Sequence, residues 1–181
     1  MRRWLLAVVL AALVAVFSTG AVWHVLYPMP YGRALRQAAA RYGLSPYLVA
    51  AVVRAESKGN AQALSRRGAI GLMQVMPATG TWVAGRMGLR AFTPADLRVP
   101  AVNLAVGTWY LKTLLEHYDG NLSLAVAAYN GGENNVDRWL ARHEWTGARN
   151  TEDDIPFGQT RDFVRAVLAS YEAYRHLYPG L

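Results

Sequence analysis

The run PYLVAAVVRAESKGNAQALSRRGAIGLMQVMPATG (46–80) decides the fold class. Its opening part, PYLVAAVVRAE (46–56), is almost wholly apolar and reads as a buried helix, with Ser45 placed to cap it and Pro46 at its first helical position. The stretch 58–71 is too rich in Gly and polar residues to be one regular element, and Pro77 then opens another helix that runs to about Met87. Working outward, a helix over about 31–42 stops at Gly43, and one turn near 94–97 follows Thr93. A long apolar-periodic helix runs from Pro100 to Tyr118 and ends at Asp119-Gly120. Shorter helices at about 122–129 and 133–142 flank Gly131-Gly132, and the last covers about 159–177. No alternating β-branched run persists, and there is no internal repeat, so the expected architecture is all-α.

Glu56 stands out because it ends an apolar helix. Buried carboxylates are paired or functional, and both desolvation and the negative end of the helix dipole disfavour the ionised form there. Both effects raise the pKa, which suits a general acid working near neutral pH; the bland alternative is an exposed Glu in a last helical turn. Two further signals follow Glu56 in order: GLMQVMP (71–77), which carries Met73 and Gln74, and AYNGG (128–132), which carries Tyr129 and Asn130. A phenol can hydrogen-bond a carboxyl group, and an amide side chain can both donate to and accept from a polar ligand. Each residue also has a plain structural reading: Tyr129 as a core aromatic, Gln74 as the cap of a local turn, Met73 as packing, and Ser57 as a partner of nearby backbone.

The 181 residues are 53% hydrophobic, enough for one domain with a real core, and the absence of Cys excludes disulfides and thiolate chemistry. A net charge of +7 suits an anionic partner, but past the N-terminal segment no basic run is longer than Arg66-Arg67, which argues against a nucleic-acid surface. His24, His117, His143 and His176 show neither metal-ligand spacing nor a companion acidic cluster, so no metal site is expected and no cofactor is implied. Of the aromatics Trp82, Trp109, Tyr110, Trp139 and Trp145, most should be core and one or two should face a cleft.

Residues 4–27 follow Arg2-Arg3 and carry no formally charged side chain. As a helix they would reach about 36 Å, enough to span a hydrocarbon core. The small residues Ser18-Thr19-Gly20 offer a cleavage point, yet the apolar run continues to Leu26 with Trp23 and Tyr27 as interfacial anchors. The expectation is an uncleaved anchor in the cytoplasmic membrane with everything beyond it outside; an export signal removed by cleavage is the alternative. Pro28 and Pro30 read as a short linker, dividing the chain into an anchor and linker over 1–30 and a soluble domain over 31–181.

Residues 31–178 resemble the catalytic domain of the soluble lytic transglycosylases, a lysozyme-like fold related in architecture to goose-type lysozyme. ESKGNAQALSRRGAIGLMQVMPATG (56–80), AYNGG (128–132) and IPFGQTRDFVRAVLASY (155–171) carry the resemblance. It implies peptidoglycan glycan strands as substrate and Glu56 as sole catalytic acid/base, oriented by Tyr129. Gln74 and Met73 are implied to line the sugar cleft, with Ser65 near the carboxylate and Asn130 beside Tyr129. The implied reaction cleaves the bond between N-acetylmuramic acid and N-acetylglucosamine without water, leaving a 1,6-anhydro end; a hydrolytic muramidase and a non-catalytic wall-binding protein are the alternatives. Many relatives carry Glu where this chain has Gln159, which puts any second carboxylate in doubt. Asp153 and Asp154 lie nearby but read as solvated or capping residues.

Overall fold

The computed structural model describes residues 21–180, together with Arg2, Trp4, Leu6 and Val9. Most of the apolar segment 4–27 lies outside the described residues. Among those described, no helix is long and apolar enough to cross a membrane.

From Ala21 on, eight α-helices follow in chain order: α1 (Ala21–Leu26), α2 (Gly32–Tyr42), α3 (Pro46–Ser57), α4 (Pro77–Arg86), α5 (Pro100–His117), α6 (Leu122–Gly131), α7 (Glu133–Ala141) and α8 (Gly158–Leu177). Two 3₁₀ turns, η1 (Pro94–Arg98) and η2 (Glu152–Asp154), complete the described elements. Among the described residues, the only β-type pairings are the isolated bridges Leu64–Ile70 and Ile70–Val75, which pin the loop between α3 and α4. The all-α expectation holds, with boundaries within a residue or two of those read from the sequence.

The burial pattern explains why two helices are apolar all round. Leu48 to Val53 in α3 and Ser123 to Ala128 in α6 are buried without interruption, as expected for helices surrounded by others. α8 packs against both, and α2 and α5 close the bundle. The outer helices are amphipathic: α2 buries Leu35, Ala38 and Ala39, and α8 buries Thr160, Phe163, Val164, Val167, Ser170 and Tyr174, each a single stripe at helical spacing.

Helix termini differ from the sequence reading in one detail. Ser45 sits at the N-cap of α3 with extended backbone but makes no side-chain capping bond; Pro46 alone supplies the start signal. Asn121 does cap α6, its Oδ1 accepting from the Leu124 N–H at 3.1 Å.

The expected linker at Pro28 and Pro30 is packed onto the domain. Tyr174 donates to the Pro28 carbonyl at 2.8 Å, Tyr178 donates to the Tyr27 carbonyl at 2.9 Å, and the Arg54 guanidinium lies 4.1 Å from the Tyr27 ring centroid. Tyr27 and the residues after it are therefore part of the folded body.

Candidate active site

α3 ends where the chemistry begins. Lys58 turns left-handed at φ 52°, and the Ser57 hydroxyl donates to the Leu72 carbonyl at 2.7 Å while accepting from the Gly59 N–H at 3.2 Å. The bland reading of Ser57 is thus correct, and its effect is to tie the end of α3 to the loop that follows. Glu56, one residue before, projects from that last turn into a cleft of about 530 Å³ lined also by Ser65, Arg66, Arg67, Gln74, Met76, Tyr129, Asn130 and Gln159. Desolvation pushes the Glu56 carboxyl up to about 8, so it is protonated at neutral pH. Among the described residues lining this cleft, Glu56 is the only carboxyl group.

The fold brings six of the seven residues expected at the site to one cleft, with roles that differ from expectation. The Tyr129 hydroxyl, buried beside Glu56, donates its one proton to the Met73 carbonyl at 2.8 Å. That bond commits the only hydroxyl proton of Tyr129 to the backbone of the loop between α3 and α4. Burial, and then the Glu56 charge, raise the Tyr129 pKa, so the phenol stays neutral. Gln74 adopts φ 46° and spends its Nε2 on the carbonyls of Gly71 at 2.9 Å and Ala63 at 3.2 Å. It builds the wall of the cleft, as its plain reading had it. The Asn130 Oδ1 accepts from Thr160 at 3.0 Å, an approach possible because Gly131 has no side chain: a Cβ there would stand 2.9 Å from the Thr160 Oγ1. Ser65 Oγ accepts from the Ala69 N–H at 2.9 Å, and Gln159 lies on the exposed rim.

Met73 is a correction. Its side chain is 0% exposed and packs on Gly107 and Thr108 of α5, so it does not line the cleft. The methionine that does is Met76, 41% exposed. Residues 71–74 form a turn closed by the Ile70–Val75 bridge, so neither helical nor strand period can say which side chain points outward. The residue that orders it was also missed. Asn103, fully buried on α5, accepts from the Met73 N–H at 2.8 Å and donates to the carbonyls of Ile70 and Leu97, each at 2.8 Å. A buried Asn in an apolar helix was its only sequence signal.

Two grooves extend the cleft. On one side Arg67, Asn130 and Gln159 continue to Asn135, Phe157 and Thr160. On the other, Thr79, Trp82, Tyr110 and Glu133 form an aromatic recess, joined through the Tyr110–Tyr129 ring contact at 5.5 Å. Trp82 and Tyr110 are the two cleft aromatics; Trp139 and Trp145 are core.

His117 acquires acidic neighbours that sequence spacing did not show, which corrects that reading. Its Nδ1 lies 3.6 Å from Glu133 and its Nε2 3.5 Å from Asp137, which in turn accepts from Tyr118 at 2.9 Å. Each ring nitrogen faces its own carboxylate, a partly exposed polar cluster tying α5 to α7. Asp153 pairs with Arg165, away from Glu56.

The family model described as "Transglycosylase SLT domain" matches residues 33–151. The soluble lytic murein transglycosylase of Escherichia coli (strain K12) is 31% identical over 166 residues, covering 89% of this chain and 26% of that protein. A transglycosylase of Enterobacteria phage PRD1 is 41% identical over 128 residues, covering 70% of this chain and 44% of that protein. Among solved structures, the 70 kDa soluble lytic transglycosylase of E. coli superposes with a TM-score of 0.79 at 28% identity, over 88% of this chain and 27% of that one. An inactive mutant of lytic transglycosylase Slt from Pseudomonas aeruginosa gives 0.76 at 32% identity, over 84% of this chain and 25% of that one. The lysozyme-like architecture expected from the sequence is the one these neighbours share. The chain spans about a quarter of the length of the first bacterial relatives it matches.

Proposed function

The chain belongs to the transglycosylase SLT domain family, and on that premise we propose that it is a peptidoglycan lytic transglycosylase cleaving between N-acetylmuramic acid and N-acetylglucosamine. One observation carries the reading: a single carboxyl, kept protonated by desolvation, stands in a cleft whose described lining holds no second carboxylate, Glu133 lying in the adjoining recess beside His117. Hydrolytic glycosidases generally pair an acid with a nucleophile or a water-activating base. With one group, the same residue must serve both steps. Glu56 gives its proton to the bridging oxygen as the C1–O4 bond breaks. The carboxylate so formed then takes the proton of the muramic 6-hydroxyl, whose oxygen closes on C1. Proton and bond counts balance without water, and Glu56 ends as it began. The aromatic recess of Trp82 and Tyr110 offers apolar faces for sugar rings on one side of the scissile bond.

Digestion of purified peptidoglycan by the full chain, with the products identified by mass, tests this. Anhydro-ended muropeptides are expected; products heavier by one water would assign the hydrolytic reaction instead, and binding without products would assign a wall-binding protein.

We also propose that residues 4–27 hold the domain at the outer face of the cytoplasmic membrane. The support is their uninterrupted apolar sequence behind Arg2-Arg3. Packing of Tyr27 and Pro28 onto α8 would then keep Glu56 near the membrane and near newly made glycan. Cell fractionation with N-terminal sequencing is expected to find the intact chain in the membrane; a soluble product starting near Ala21 would mean the segment is only an export signal.

A further inference from the structure

We infer that the Ser65–Gly68 turn is a carboxylate receptor, through which Arg66 and Arg67 select glycan strands that carry an anionic group beside the scissile bond. The inference rests on the proposed glycan substrate and adds the charge it must bear.

The turn is rigid. The Gly68 N–H donates to the Ser65 carbonyl at 3.0 Å, the Ser65 N–H to the Ala69 carbonyl at 2.9 Å, and the Ala69 N–H to the Ser65 Oγ at 2.9 Å. Gly68 closes it at φ 87°, a conformation that side chains with a Cβ rarely adopt. Arg66 and Arg67 occupy its two central positions. Loop-tip arginines are ordinarily solvated charges, but their place at the cleft and the lack of counter-charge around it set these apart. Both border the cleft that holds Glu56, and Arg67 also borders the groove running past Gln159 to Phe157. Neither has an acidic partner among the described residues, a state they share with most arginines of the chain. The lining around them supplies no counter-charge, since Gln159 is neutral and Glu56 is protonated at neutral pH.

The cleft therefore presents two unbalanced guanidinium groups on a fixed turn, suited to bidentate capture of a carboxylate. Neither guanidinium pairs with the acid: the cause of the Glu56 shift is desolvation, with no lowering by a neighbouring cation. On a murein strand, carboxylates come from two sources, the muramic lactyl group and the stem peptide. A neutral β-1,4-linked N-acetylglucosamine oligomer has neither.

The test compares the full chain with Arg66→Gln/Arg67→Gln on three ligands: glycan strands with stem peptides, strands stripped of peptide so that the lactyl carboxylate is free, and neutral N-acetylglucosamine oligomers as competing inhibitors. The expected result is a KM raised about tenfold or more on at least one kind of strand, with kcat and the pH profile little changed and the inhibition constant of the neutral oligomer unmoved. The strand that shows the rise identifies the carboxylate recognised. Added salt should raise KM for the unmodified chain and much less for the variant. Arg66→Lys/Arg67→Lys should recover part of the affinity by keeping the charge. If the Gln pair does not fold, Gln159→Glu supplies the second arm: a carboxylate placed beside Arg67 should raise KM in the same direction. Equal weakening of charged and neutral ligands, or an unchanged KM, overturns the inference. A chain that makes no product from any strand before substitution refutes the proposed reaction instead, and is recognised by the silence of the unmodified protein.

Discussion

Replacing Glu56 by Gln is expected to abolish turnover and, at the same time, to make the folded protein more stable at neutral pH. The loss of activity follows from the absence of a substitute: a lost general acid costs roughly 10²–10⁴-fold, and here the same group also acts as base. Retention of more than about a tenth of the rate would remove Glu56 from the mechanism. The gain in stability follows from the carboxyl's environment. Its pKa rises from the ordinary 4.5 to about 8 on folding through desolvation. Between those values the unfolded chain releases the proton while the folded chain keeps it, so stability falls as pH rises through the window and levels off above about 8. At pH 7 the penalty is at most about 3 kcal/mol, and Gln does not carry it. Thermal melts of the two proteins should coincide near pH 4 and separate in favour of the variant by pH 8. A constant gap across that range would show that burial does not hold the proton on Glu56. In the unmodified enzyme, kcat/KM should decline as pH rises through about 8, because the step that breaks the glycosidic bond needs the protonated acid.

Asn103→Ala should damage the site from outside it. Its amide satisfies three buried backbone groups, the Met73 N–H and the carbonyls of Ile70 and Leu97. Leaving these unpaired is expected to cost about 3 kcal/mol, a fall of roughly 6–12 °C in melting temperature for a chain of this size. Activity per folded molecule should drop at least about tenfold, because Met73 also supplies the carbonyl that holds Tyr129 and the same loop carries Gln74 and Met76. A melting temperature within about 2 °C of the unmodified protein would mean that the loop holds its shape without Asn103.

The helical frame was legible because each helix carries local signals: Pro46, Pro77 and Pro100 open helices, Gly43 follows α2, and single apolar stripes mark α2 and α8. Glu56 was legible for the same reason, since a carboxylate closing an apolar helix is an exception that sequence alone exposes. The loop between α3 and α4 was less so. It has no period, and its side-chain directions are fixed by bonds from distant residues, Asn103 on α5 and Tyr129 on α6. That is why Met76 rather than Met73 reaches the cleft, and why the Gln74 amide is spent on backbone. The sequence by itself determined an all-α domain, the order of its helices and the acid at the end of α3. Only the tertiary structure decided that Tyr129 spends its proton on the Met73 carbonyl, that His117 meets Glu133 and Asp137, and that Arg66 and Arg67 border the cleft. Each of those depends on long-range contacts that bring separate elements together, and local propensity carries no record of them.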